Sequence, residues 1–147
     1  MRIYYDTSAL AKAYASENGS ADVDDFLSRA SVNYLSELNR VELRCMLARR
    51  TRAGEIDAVQ EHAVWSQFEL DIAAEHFDVL PVTPAAWAVA REMIERVTPI
   101  ALRTLDALHV AIASTIPSVT FVTADRAQRD AARALGIETV GIALAQS

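Results

Sequence analysis

Val119-Thr120-Phe121-Val122-Thr123-Ala124-Asp125 carries no charge until its last residue, and its first five residues are apolar or β-branched. A run of that kind reads as a strand buried on both faces, the form strands take inside a parallel sheet. Asp125 then opens a helix to about Leu135, closed by Gly136. The chain begins with the same unit: residues 2–5 read as a strand, Asp6 follows directly, and a helix over residues 8–16 ends near Asn18-Gly19.

Between these two units, helices and strands alternate. Residues 21–30 form a helix, 32–35 a short strand, and Ser36 starts a long helix reaching about Ala53. Gly54 separates it from a helix over residues 55–76, and residues 77–82 read as the third strand. Thr83-Pro84 supplies a cap and a first-turn proline for a helix through Val97. Thr104 caps a helix to about Thr115, and residues 138–142 add a last strand. Strands followed by helices predict parallel pairing with helices on both faces, an α/β sandwich.

The totals fit one domain over residues 1–147, long enough to bury roughly two-thirds of its unfolded surface without a staple. Hydrophobic residues make up 52% and charged residues 23%, the proportions of an ordinary globular chain. Cys45 is the only cysteine, which excludes an intrachain disulfide and a CxxC metal site and suits a reducing cytoplasm. The uncharged stretch at 107–124 contains His109 and Pro117 and reads as helix, turn and strand, not as a membrane span. The N-terminus enters a strand at once, without the apolar region of a signal peptide, so a cytoplasmic protein is expected. A net charge of −6 argues against a general nucleic-acid coat protein. It leaves a nuclease open, because carboxylates that hold metal count against the total.

In an open parallel sheet, ligands bind beyond the carboxyl ends of the strands. Asp6 and Asp125 occupy that edge. Asp125 reads equally as a helix cap, with Gln128 making a capping box, and as a site acid. Thr7 and Ser8 offer alternative caps beside Asp6 and free it for other work. Glu42 lies within about 60° of Leu38, Cys45 and Met46 on its helix and interrupts the apolar stripe, so it needs a cation, either an arginine or a metal. Glu37 lies round the helix near Arg40 and Arg44, where a solvated ion pair accounts for it. Asp106 sits in the first turn of its helix, welcome to the helix dipole, and His109 one turn on reads as a satisfied buried group. Arg44, Arg49, Arg50 and Arg52 form a basic cluster that is either a solvated face or a guide for phosphate. Acids at two strand ends, on an apolar helix stripe and at the start of a late helix suit an all-oxygen site for magnesium or manganese.

With those residues in place, the chain resembles a VapC-type PIN domain. The residues that carry the resemblance are Met1-Arg2-Ile3-Tyr4-Tyr5-Asp6-Thr7-Ser8-Ala9-Leu10, Asn39-Arg40-Val41-Glu42-Leu43, Arg103-Thr104-Leu105-Asp106-Ala107-Leu108-His109 and Phe121-Val122-Thr123-Ala124-Asp125-Arg126, in that order. The resemblance implies a three-layer α/β/α sandwich around a parallel sheet of about five strands. It implies a magnesium-dependent endoribonuclease, manganese being the alternative ion, that is the toxin of a toxin–antitoxin pair. A VapB-like antitoxin, an RNA substrate and a homodimer come with it. It carries metal ligation and catalysis onto Asp6, Glu42, Asp106 and Asp125, with Ser8 and Thr123 orienting ligands or water. A haloacid-dehalogenase-like phosphatase wants a second Asp where Ser8 stands, and a receiver domain wants a lysine that Lys12 is badly placed to be. A PIN-like module that binds RNA or antitoxin without turnover remains the non-enzymatic alternative.

Overall fold

β1 (Arg2–Tyr5) is the central strand of the computed structural model, which describes residues 1–145. β2 (Val32–Ser36) pairs with one side of β1 and β4 (Val119–Thr123) with the other. β3 (Asp78–Leu80) and β5 (Glu138–Gly141) form the edges, giving the order β3-β2-β1-β4-β5 with every pair parallel. The chain steps outward from β1 to β3, then returns to lay β4 against the other flank of β1. The crevice of a parallel sheet opens at such a reversal. Register fixes what meets there: Tyr5 pairs with Val122, and the Asp6 N–H donates to the Val122 carbonyl at 3.1 Å.

Strand side chains alternate between faces, and so build two cores. Ile3, Tyr5, Leu35 and Val122 point toward α1 (Thr7–Leu10), α2 (Ser20–Arg29), α3 (Glu37–Arg52) and α4 (Ala58–Ala73). Tyr4 and Phe121 stack with centroids 5.9 Å apart and point toward α5 (Pro84–Arg96), α6 (Thr104–Ala113) and α7 (Arg126–Ala134). The result is the predicted three-layer sandwich. In α6, everything from Asp106 to Ala113 is buried, so Asp106 and His109 leave water and need partners inside the protein.

Several boundaries differ from the sequence reading. The helix expected over 8–16 stops at Leu10 and tightens into a 3-10 turn (Ala11–Ala13). Beyond it, the Ser20 hydroxyl takes the Ala15 carbonyl at 2.7 Å and accepts from Glu17 N, a side-chain alternative to the helical ladder. α4 starts later than expected because Asp57 and Gln60 form a reciprocal capping box. Thr104 is not the cap of α6. Arg103 holds that extended position; its guanidinium has no acceptor with which to cap and instead donates to Asp106. Thr83 caps α5 by accepting from Ala86 N, with Pro84 in the first turn as predicted. No described helix is long and apolar enough to cross a membrane.

Candidate active site

Asp6 is 1% exposed at the carboxyl end of β1. Its carboxylate accepts from Ser8 Oγ at 2.7 and 2.8 Å, from Ala9 N and Thr123 Oγ1 at 3.0 Å, and from Gln128 Nε2 at 2.9 Å. The expectation that Thr7 or Ser8 would cap α1 is corrected: Asp6 is itself the cap. Ser8 instead braces the carboxylate, and its hydroxyl accepts from Ala124 N at 2.9 Å, tying the ends of β1 and β4 together. Burial pushes the Asp6 carboxyl above the usual range, and the His109 charge with the Ser8, Ala9 and Thr123 donors offsets only part of that rise. Its partners are donors without full charge, so a nearby cation would favour the ionised form.

Asp106 lies in the first turn of α6, 8% exposed. One oxygen accepts from Gln128 Nε2 at 3.0 Å and the other from Arg103 Nε at 3.3 Å. The same amide nitrogen of Gln128 therefore spans Asp6 and Asp106. The capping box predicted for Asp125 and Gln128 is half formed. Asp125 caps α7, accepting from Gln128 N at 2.9 Å, but the Gln128 side chain turns inward to the other two acids.

The phase read for the Glu42 helix needs a correction. α3 buries Asn39, Leu43 and Leu47, whereas Cys45 is exposed, so Glu42 sits on the flank of the apolar stripe. Its nearest partners are His109 Nε2 and the Thr7 hydroxyl, the latter at 3.0 Å. Burial raises the Glu42 carboxyl, but His109, Thr7 and the Arg103 charge outweigh it and hold the carboxyl below its ordinary value. His109, 1% exposed, is the satisfied buried group expected: Nδ1 meets the Tyr4 hydroxyl at 2.8 Å, and that hydroxyl donates to Ser36 Oγ at 2.8 Å. Asn39 fixes the same corner, donating to the Tyr5 carbonyl and accepting from Ser36 N.

Asp6, Glu42, Asp106 and Asp125 all line one cavity of about 490 Å³, together with Lys12, Arg49, Arg50 and Arg103. The predicted arginine cluster thus divides. Arg49 and Arg50 face the cavity, while Arg44 pairs with Glu61 and lies 5.2 Å from the centre of the Trp65 ring. Glu37 is exposed and 3.5 Å from Arg40, as expected. Among the described residues, no three Asp, Glu, His or Cys side chains stand close enough as arranged to hold a metal ion. Gln128, Arg103 and His109 take up the acid oxygens that would converge. Sequence reasoning gave none of Tyr4, Asn39, Gln128 or Arg103 a role here, because each acts through a partner distant in the chain or a side-chain direction that spacing does not encode.

The PIN domain family matches residues 3–134. The chain is 32% identical over 143 residues to Ribonuclease VapC47 of Mycobacterium tuberculosis (strain CDC 1551 / Oshkosh), covering 93% of this chain and 94% of that protein. Among solved structures, it is similar to FitAcB from Neisseria gonorrhoeae with a TM-score of 0.74 at 19% identity, over 95% of this chain and 96% of that one. It is also similar to VapC20 of Mycobacterium tuberculosis, described as a sarcin-ricin loop cleaving toxin, with a TM-score of 0.66 at 18% identity over 88% and 94%. At those identities the structural likeness speaks for the fold.

Proposed function

This chain belongs to the PIN-domain family, among its VapC-type members, and on that premise we propose that it is a metal-dependent endoribonuclease acting as the toxin of a toxin–antitoxin pair. The observation that carries the reading is one cavity at the sheet's reversal point, where Asp6, Glu42, Asp106 and Asp125, with Glu17 beside them, meet Lys12, Arg49, Arg50 and Arg103. The donor set is all oxygen, which suits magnesium, or manganese in its place. The buried carboxyl of Asp6, pushed up by desolvation, fits a cation site. Asp6 and Asp106 would hold the ion, with Glu42 and Asp125 completing the acidic wall. Once bound, such an ion lowers the pKa of a water and offsets charge on a phosphodiester.

The remaining roles belong to the chain's own side chains. Ser8 and Thr123 fix the direction of the Asp6 carboxylate. His109 and Thr7 keep Glu42 ionised and in place. Lys12, Arg49, Arg50 and Arg103 offer phosphate contacts at the rim, where the acids alone would repel RNA. A VapB-like antitoxin, a homodimer and a cytoplasmic site of action complete the proposal.

The test is RNA cleavage by the purified protein in magnesium and in chelator, with Asp6→Asn alongside. Magnesium-dependent cleavage abolished by the substitution is the expected result. RNA or antitoxin binding without turnover in magnesium or manganese would replace the enzyme with a binding module.

A further inference from the structure

Gln128 is out of character for the first turn of an amphipathic surface helix. It is 4% exposed, and its amide nitrogen donates at 2.9 Å to Asp6 and at 3.0 Å to Asp106. Its carbonyl oxygen Oε1 is buried without a hydrogen-bond partner among the described residues. Exchanging nitrogen and oxygen does not repair this, because a carbonyl would then face two carboxylates. The amide is therefore held by its donor side alone, at the cost of an unsatisfied acceptor. Such an arrangement persists only because two buried carboxylates need those N–H groups more.

We propose that Gln128 is a place-holder for the cation: in the metal-free protein its amide nitrogen bridges Asp6 and Asp106, and ion binding must displace it. This rests on the metal-dependent reading above. The two carboxylate oxygens that receive the amide are among those an ion would claim, so amide and ion compete. Displacement leaves the amide free to turn and give its unpartnered Oε1 a donor, which eases the exchange. Gln128 is thus a positioning residue. It keeps the acid pair together before the ion arrives and sets a threshold for loading.

Two variants separate this from a merely structural role. Gln128→Leu keeps bulk and removes both donors; Gln128→Asn keeps an amide but is too short to span the pair. Manganese titration by calorimetry on the folded, metal-stripped proteins should show tighter binding in both, by about tenfold, the value of one charge-assisted hydrogen bond. In the ¹⁵N-labelled wild type, the side-chain amide resonances absent from Gln128→Leu should shift on magnesium addition as their hydrogen bonds are lost. Wild-type protein that binds manganese by calorimetry but whose Gln128 amide resonances do not move with saturating magnesium, or whose manganese affinity equals or exceeds that of both variants, overturns the place-holder and leaves the metal site standing. Wild-type protein that binds neither ion overturns the metal-dependent reading, and the place-holder with it.

Discussion

Replacing Asp6 with Asn removes a charge that folding buries almost completely, while changing the side chain's shape very little. The new side chain keeps a carbonyl for Ala9 N and Ser8, so the α1 cap survives. Its amide N–H takes the place of the oxygen to which Gln128 Nε2 donates, so that one bond is lost until the Gln128 amide reorients. The charge-assisted bonds lost are each worth about 1.5–3 kcal/mol. Against them stands relief from ionising a buried carboxyl beside Asp106, a desolvation cost of several kcal/mol. The metal-free variant should therefore match or exceed wild type in stability. An ion that binds only the folded form adds about 2.7 kcal/mol at a hundredfold excess over Kd, or roughly 5–10 °C in Tm at this chain length. Asp6→Asn should gain less than half of that. Because folding raises the Asp6 carboxyl, the folded state holds its proton more tightly than the unfolded chain does. The ionised group is a burden above the raised pKa that disappears as pH falls through it. Metal-free wild type should therefore gain stability relative to Asp6→Asn as pH falls from the raised pKa toward the ordinary carboxylate range. Thermal unfolding of both proteins, in chelator and in magnesium at fixed ionic strength and repeated in chelator across pH, reads all three effects. A variant destabilised in chelator, beside a wild type indifferent to magnesium, would mean that Asp6 is only a helix cap.

Glu42→Gln should abolish RNA cleavage while Glu37→Gln leaves it near wild type, since Glu42 lines the cavity and Glu37 is solvated beside Arg40. Equal loss in the two folded variants would show that cavity lining does not decide function. Arg49→Gln should weaken RNA binding in chelator and lower the slope of log affinity against log salt by about one, as expected for one lost phosphate contact. An unchanged slope would assign Arg49 to the solvent. An antitoxin encoded beside this gene should bind tightly, place a basic side chain at the acidic wall and suppress cleavage. Full activity in the saturated complex would exclude that mode of inhibition.

The strand pattern and the acids Asp6, Asp106 and Asp125 were legible because each is a local signal: an apolar run of strand length, and an acid at its end or in a first turn. The acids' partners were not legible. His109 meets Glu42 across 67 positions and Gln128 reaches Asp6 across 122, so only tertiary packing reveals that these carboxylates are already partnered. Gln128 misled for a particular reason. Its backbone does what a capped helix predicts, and only its side chain departs from it. The Glu42 phase erred because Cys45 is an apolar residue type that here lies exposed, and no pattern of residue types registers that.

The central place of β1 also orders events during synthesis. The strand made first is flanked by one, β4, that emerges more than a hundred residues later, and Asp6 cannot gain Thr123 or Gln128 before then. Until that moment β1 has β2 on one side and an open row of backbone donors and acceptors on the other, the kind of exposed edge that invites misassociation. Pairings of such long sequence separation also slow folding. The acidic cavity is therefore among the last features to close, and a nascent chain stopped short of α7 carries Asp6, Glu42 and Asp106 without the fold that brings them together.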